Sequence, residues 1–142
     1  MSAAAPDTQT STSIWIRGGG GAPGRARSYV LSQLDGLTPV STASDAALIV
    51  SELVTNSVLH ANVGVNEVMI LELTRLDDRI RIAVTDPGSH LEPRMLPIEP
   101  MTPGGLGLRV VDAISSDWGV ARDASGPTRV WCDLPLHPIR RS

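Results

Sequence analysis

The sequence predicts an α+β fold: a two-layer α/β sandwich with a mixed, mostly antiparallel sheet and helices on one face. Three observations predict it. Residues 79–85 alternate strictly, with Ile80, Ile82 and Val84 on one side and Arg79, Arg81 and Thr85 on the other, which is the pattern of a half-buried antiparallel strand. Residues 42–61 are apolar nearly all round (Ala46, Ala47, Leu48, Ile49, Val50, Leu53, Val54, Val58, Leu59), which is the pattern of a buried helix. The remaining segments complete the order β-α-α-β-β-loop-α-β-β.

Taken in turn, residues 13–17 (Ser-Ile-Trp-Ile-Arg) read as a short strand closed by the glycine run 18–21. Pro23 to Leu34 suits a helix, with Pro at the start, Ala26, Tyr29, Val30 and Leu34 at helical spacing, and Gly36 past the end. Pro39 precedes the long helix 42–61, with Ser41 or Ser44 as candidate caps and Asn62 with Gly64 as its stop. Strands 67–75 and 79–85 flank the turn Leu76-Asp77-Asp78. Residues 87–105 lack periodicity and hold Pro93, Pro97, Pro100 and Pro103, so they read as a long functional or disordered loop. A short helix over 106–114 opens from glycines, and strands 118–122 and 128–134 close the chain as a hairpin. Residues 1–12 are expected to be a disordered lead-in, 13–138 one domain and 139–142 a tail.

Composition removes whole classes of chemistry. The chain has 142 residues, 42% of them hydrophobic, and a net charge of −3 from 15 acidic and 12 basic side chains. This is the size of one domain and argues against a non-specific grip on nucleic acid. Every basic residue is Arg; there is no Lys. Lys-dependent phosphate loops, strand-Lys protein kinases and Schiff-base enzymes are therefore excluded. A nucleotide would be handled by backbone amides, Arg or a metal. The single cysteine, Cys132, allows no internal disulfide and no CxxC metal cage, and it reads as a small buried side chain. No apolar run approaches the roughly 20 residues that span a bilayer. The N-terminal stretch lacks a basic and an apolar region, so the expected compartment is the cytoplasm.

Four features carry possible chemistry. Glu52, Asn56 and His60 sit at i, i+4 and i+8 on the buried helix, a stripe that drifts only about 40° per step. Two readings are open: a structural network with Glu52 paired to an Arg, or a cleft-facing stripe in which acid and amide place Mg²⁺ and orient a nucleophile. His60 is favoured as a hydrogen-bonding core residue. His90 and His137 give no metal-ligand spacing. Asp86 shares the inward parity of Ile80, Ile82 and Val84, so Asp86-Pro87-Gly88 is either a turn or a buried carboxylate that accepts from the amine of a purine. Gly104-Gly105-Leu106-Gly107-Leu108 is either a glycine-rich turn or an approach for an anion to a helix start. Thr128 points inward with Val130, Cys132 and Leu134, whereas Trp131 points to the outer sheet face beside Arg side chains.

In their order and spacing, Glu52-x3-Asn56, Asp86-x-Gly88, the Pro-rich loop and Gly105-x-Gly107 resemble the Bergerat-fold (GHKL) ATPases, the superfamily of gyrase, histidine kinases and mismatch-repair ATPases. The likeness runs from about residue 14 to 136. The run Ser51-Glu52-Leu53-Val54-Thr55-Asn56-Ser57-Val58-Leu59-His60-Ala61 resembles specifically the anti-sigma-factor serine/threonine kinase branch, as does Gly105 to Asp112 followed by Trp118-Gly119-Val120.

The resemblance implies ATP and Mg²⁺ as cofactors. It implies that Asn56 coordinates the metal and that Glu52 acts as general base. Asp86 would receive the adenine amino group, with Gly88 letting the ring approach and Thr128 supporting the contact through water. Gly104, Gly105, Leu106, Gly107 and Leu108 would hold the phosphates beneath a lid at about 89–103. It further implies a sigma factor and a STAS-type anti-anti-sigma protein as partners, the latter as phosphorylated substrate, with homodimers common and no nucleic acid or membrane bound directly. In this sequence the lid carries only Arg94 as a basic residue, and Leu59 stands where many histidine kinases have a basic side chain; Arg109 is a candidate substitute. The alternative to a kinase is therefore a weak or inactive ATP-binding module that sequesters a protein partner.

Overall fold

A computed structural model describes residues 10–60, 62–88, 108–124 and 126–136. The elements are β1 (Thr10–Arg17), α1 (Ala22–Leu34), α2 (Val40–His60), β2 (Val68–Arg75), β3 (Arg79–Asp86), α3 (Arg109–Ile114), β4 (Asp117–Arg122) and β5 (Thr128–Pro135). The strands form one five-stranded sheet in the order β1-β2-β3-β5-β4, and every neighbouring pair is antiparallel. This is the α+β two-layer sandwich that the sequence predicts.

The core lies between the sheet and the helices. Period-two alternation sends Ile16 of β1, Met69, Leu71 and Leu73 of β2, and Ile80, Ile82 and Val84 of β3 to one face, where Cys132 and Leu134 of β5 join them. Onto that face α1 lays Ala26, Val30 and Leu34, and α2 lays Ala46, Ile49, Val50, Leu53 and Val54. Each fully buried Ile, Leu or Val contributes roughly 1.5–3 kcal/mol of transfer free energy, so α2 is held by its core face rather than by its caps. Among the described residues no helix is long and apolar enough to cross a membrane.

Several boundaries differ from the sequence reading, each for a local reason. β1 begins at Thr10, not at Ser13, because β2 runs on to Arg75 and offers partners for Thr10, Ser11 and Thr12. Tyr29 of α1 ties this polar half of the strand down by donating to Thr12 Oγ1 at 2.7 Å. α2 starts at Val40, directly after Pro39, so Ser41 and Ser44 lie inside the helix rather than capping it. Beyond α2, Asn62 takes the left-handed conformation (φ 59°) expected of a helix stop. α3 spans only Arg109–Ile114 with Leu108 at its cap, so it is shorter than the helix expected from residue 106.

The outer face is closed by charge and aromatic contacts. The Arg81 guanidinium lies 4.7 Å from the centre of the Trp131 ring. It also makes two hydrogen bonds to Asp133, at 2.7 and 2.9 Å, while Arg79 Nε approaches the same carboxylate at 3.3 Å. Asp133 is consequently buried although its parity points outward.

Candidate functional site

The site grows from one carboxylate. Asp86 is the last residue of β3 and sits opposite Thr128, the first residue of β5; across β5, Thr128 faces Arg122 at the end of β4. Inward parity buries Asp86 to 5% exposure beneath α2. Its Oδ2 accepts a hydrogen bond from Ser57 Oγ at 2.7 Å, and its Oδ1 accepts one from the Gly88 amide at 2.7 Å. Burial pushes the Asp86 carboxyl above its ordinary value; the Ser57 and Gly88 hydrogen bonds and the positive Arg122 pull it back in part. Among the described residues each carboxylate oxygen accepts one hydrogen bond, which leaves acceptor capacity for a ligand in front of it.

Gly88 is glycine for a reason visible in the chain itself. Its φ is +87°, and a Cβ there would overlap the carbonyl oxygen of Gly126 and lie 2.6 Å from its carbonyl carbon. The end of β3 and the β4–β5 turn thus meet backbone to backbone beside Asp86. The sequence reading assigned this glycine to the approach of a ring; the structure adds a packing reason.

On α2, Asn56 is nine-tenths buried, yet its amide makes no hydrogen bond among the described residues. Glu52, one turn earlier and half-buried, makes no ion pair among them, so the network in which Glu52 pairs with an Arg is not formed there. An uncommitted amide oxygen with a carboxylate one turn away suits Mg²⁺, which takes few protein ligands and fills its shell with water and phosphate oxygens. Among the described residues no three His, Cys, Asp or Glu side chains cluster closely enough to hold a metal by themselves. A cation here would therefore arrive with an anionic ligand.

The match to known families decides the fold's identity: residues 25–131 fit the family described as the histidine kinase-like ATPase domain. The chain belongs to that family. No curated protein matches it. Membership makes it an ATP-binding, kinase-like domain, one whose chemistry is ATP-dependent phosphoryl transfer or hydrolysis. The matched span contains Glu52, Asn56, Asp86, Gly88, Gly104 to Leu108 and Thr128.

In this ATPase domain the structure brings Asp86, Gly88 and Thr128 together at the end of the sheet, with α2 above them. Leu108 is placed in the core at 1% exposure, so only its backbone is left to face a ligand. Gly104, Gly105, Leu106, Gly107, the lid at 89–103 with Arg94, and the side chain of His60 lie outside the described residues. Arg109 is exposed on the first turn of α3. The sequence reading missed Ser57, which lies off the stripe of Glu52 and Asn56 by one residue, about 100° of helix rotation. A small hydroxyl next to Val58 and one turn after Leu53 and Val54 on a buried helix is the available signal. It also missed Arg122, whose place opposite Thr128 only the strand register reveals.

Proposed function

We propose that this domain is an ATP- and Mg²⁺-dependent serine/threonine protein kinase that binds a sigma factor and phosphorylates a STAS-type anti-anti-sigma protein. The observation that carries the nucleotide part is the buried Asp86 carboxylate, held by Ser57 and Gly88 as an acceptor, beneath a helix whose Asn56 amide has no partner among the described residues. The partner assignment is supported by the likeness of residues 51–61 to the anti-sigma-factor kinases.

In this reading Asp86 takes the exocyclic amine of adenine, and Thr128 supports that contact from β5. Asn56 holds the metal through its amide oxygen, and the glycine amides at 104–107 receive the phosphates. When bound, Mg²⁺ neutralises charge on the phosphates. Glu52 orients the substrate hydroxyl and accepts its proton. The substrate oxygen then forms the new bond to the terminal phosphorus as the bond to ADP breaks.

The test is incubation with labelled ATP and a STAS protein from the same genome. Wild type is expected to transfer label. Asn56→Ala, folded by circular dichroism, is expected to lose transfer by at least about a hundredfold. An unchanged rate in that variant overturns the assignment of Asn56. ATP binding without transfer to any STAS protein identifies the domain as a sequestering module instead.

A further inference from the structure

A serine inside a helix usually turns its hydroxyl back onto the carbonyl one turn earlier or outward to water. Ser57 does neither. It is buried at 4% exposure, and its hydrogen crosses from α2 to β3 to reach Asp86 Oδ2 at 2.7 Å. Because a hydroxyl has one hydrogen, this donation leaves Ser57 itself only as an acceptor. With the Gly88 amide on Oδ1, both carboxylate oxygens are anchored by donors from the protein, and neither offers a hydrogen to a ligand.

We infer that Ser57 is a specificity-determining positioning residue: by giving its hydrogen to Asp86 it holds that carboxylate as an acceptor, so that the pocket takes a base bearing an exocyclic amino group and turns away one bearing an oxo group there. The inference rests on the ATP-site reading above and adds the residue that enforces the choice of base. Its physical content is a repulsive element. An oxo group facing an acceptor-only carboxylate leaves two lone-pair-bearing groups in contact with no hydrogen between them, which a buried site penalises more than a lost attraction. The other groups that bear on Asp86 act in known directions. Arg122 from β4 favours the charged carboxylate and Glu67, just before β2, disfavours it. Thr128 from β5 lies opposite it. Removing the Ser57 hydroxyl therefore shifts the balance toward a protonated Asp86, which carries a hydrogen that an oxo group accepts.

The experiment compares binding of ATP and inosine triphosphate, which has an oxo group in place of the amino group, by calorimetry from pH 5 to 8.5. Wild type, Ser57→Ala and Ser57→Thr are measured, each checked for folding by thermal melting. Wild type is expected to prefer ATP by about ten- to a hundredfold at pH 7.5. Ser57→Ala is expected to narrow that preference about tenfold and to lose ATP affinity at a higher pH than wild type. Ser57→Thr, which keeps the hydroxyl, is expected to restore both. If Ser57→Ala does not fold, Ser57→Cys keeps the volume with a weaker donor and is expected to narrow the preference in the same direction. A wild-type preference and pH profile in the variant, with ATP still bound, overturns the inference alone. Failure of wild type to bind ATP overturns the site reading and this inference with it.

Discussion

Replacing Gly88 by Ala separates two reasons for a glycine beside the proposed base-binding carboxylate. The perturbation adds one carbon at a backbone with φ +87°, in contact with the Gly126 peptide. A residue with a Cβ costs about 1–2 kcal/mol in a left-handed conformation. The added atom would also sit well inside the 3.0 Å that real Cβ atoms keep from neighbours, and the obstacle is backbone, not a flexible side-chain end. Gly126 must retreat by roughly 1 Å or more to restore van der Waals contact. That retreat breaks the turn bond from the Gly126 amide to the Asp123 carbonyl, 2.9 Å long, for about 1 kcal/mol. The expected total is about 3 kcal/mol. By urea unfolding without nucleotide this appears as a midpoint lower by about 1.5 M, and by heating as a loss of about 10 °C. Gly126→Ala is the control: its φ is +133°, but its Cβ would meet only the Pro87 carbonyl oxygen at an ordinary 3.4 Å, so the strain comes without the overlap and the loss is smaller. Wild-type stability of Gly88→Ala combined with lost ATP binding would refute the packing argument and leave the approach of the ligand ring as the sole reason for the glycine.

Further outcomes follow from the outer face and the core. Burial pushes the Asp133 carboxyl up, but the hydrogen bonds and charges of Arg81 and Arg79 outweigh it and leave it below its ordinary value. A lowered carboxylate stabilises the fold above its unfolded pKa, near 4, and that contribution is lost as pH falls through the folded value. Asp133→Asn is therefore expected to lower the unfolding free energy measured by urea at pH 7, by only about 1–2 kcal/mol because both Arg side chains are more than a third exposed and water screens them, and to converge on wild type as the pH falls and Asp133 takes up its proton. A gap that does not narrow as the pH falls contradicts the ion-pair origin. Burial pushes the Cys132 thiol up to about 12. Cys132 is accordingly expected to ignore an aromatic disulfide reagent at pH 8 until urea unfolds the chain; prompt labelling of native protein would contradict its placement in the core.

Much of this architecture was legible because the chain writes it with period. Strict alternation marked β3, and the all-round apolar α2 marked the buried helix. Parity alone placed Asp86 and Thr128 inward and Trp131 outward beside Arg81. What was illegible depends on partners distant in sequence. Thr10 to Thr12 look like a polar leader until β2 supplies a ladder for them. Asp133 shares the outward parity of Trp131, and only the two arginines folded over it bury it. Gly88 and Gly126 each read as turn residues; that one excludes a side chain from the other is a tertiary fact. Ser57 is illegible because the polar stripe of α2 repeats every fourth residue, and the side chain that meets Asp86 lies one residue off that stripe.

That offset has a consequence for how the site is built. Asn56 and Ser57 are consecutive on α2 and about 100° apart around its axis, so one rigid helix points one group at Asp86 and the other along the stripe shared with Glu52. Glu52 lies about 6 Å along the axis from Asn56. The spacing between Asp86, Asn56 and Glu52, the proposed base, metal and acid positions, is thus set by helix geometry, and α2 cannot slide or rotate without pulling Ile49, Val50, Leu53 and Val54 out of the core. Pre-organisation of this kind does not rely on lysine to hold the phosphates. On the proposed reading, the oxygens of Asn56 and Glu52, which have no partner among the described residues, receive a cation that enters with the nucleotide, and a chain without a single lysine accommodates a triphosphate in that way.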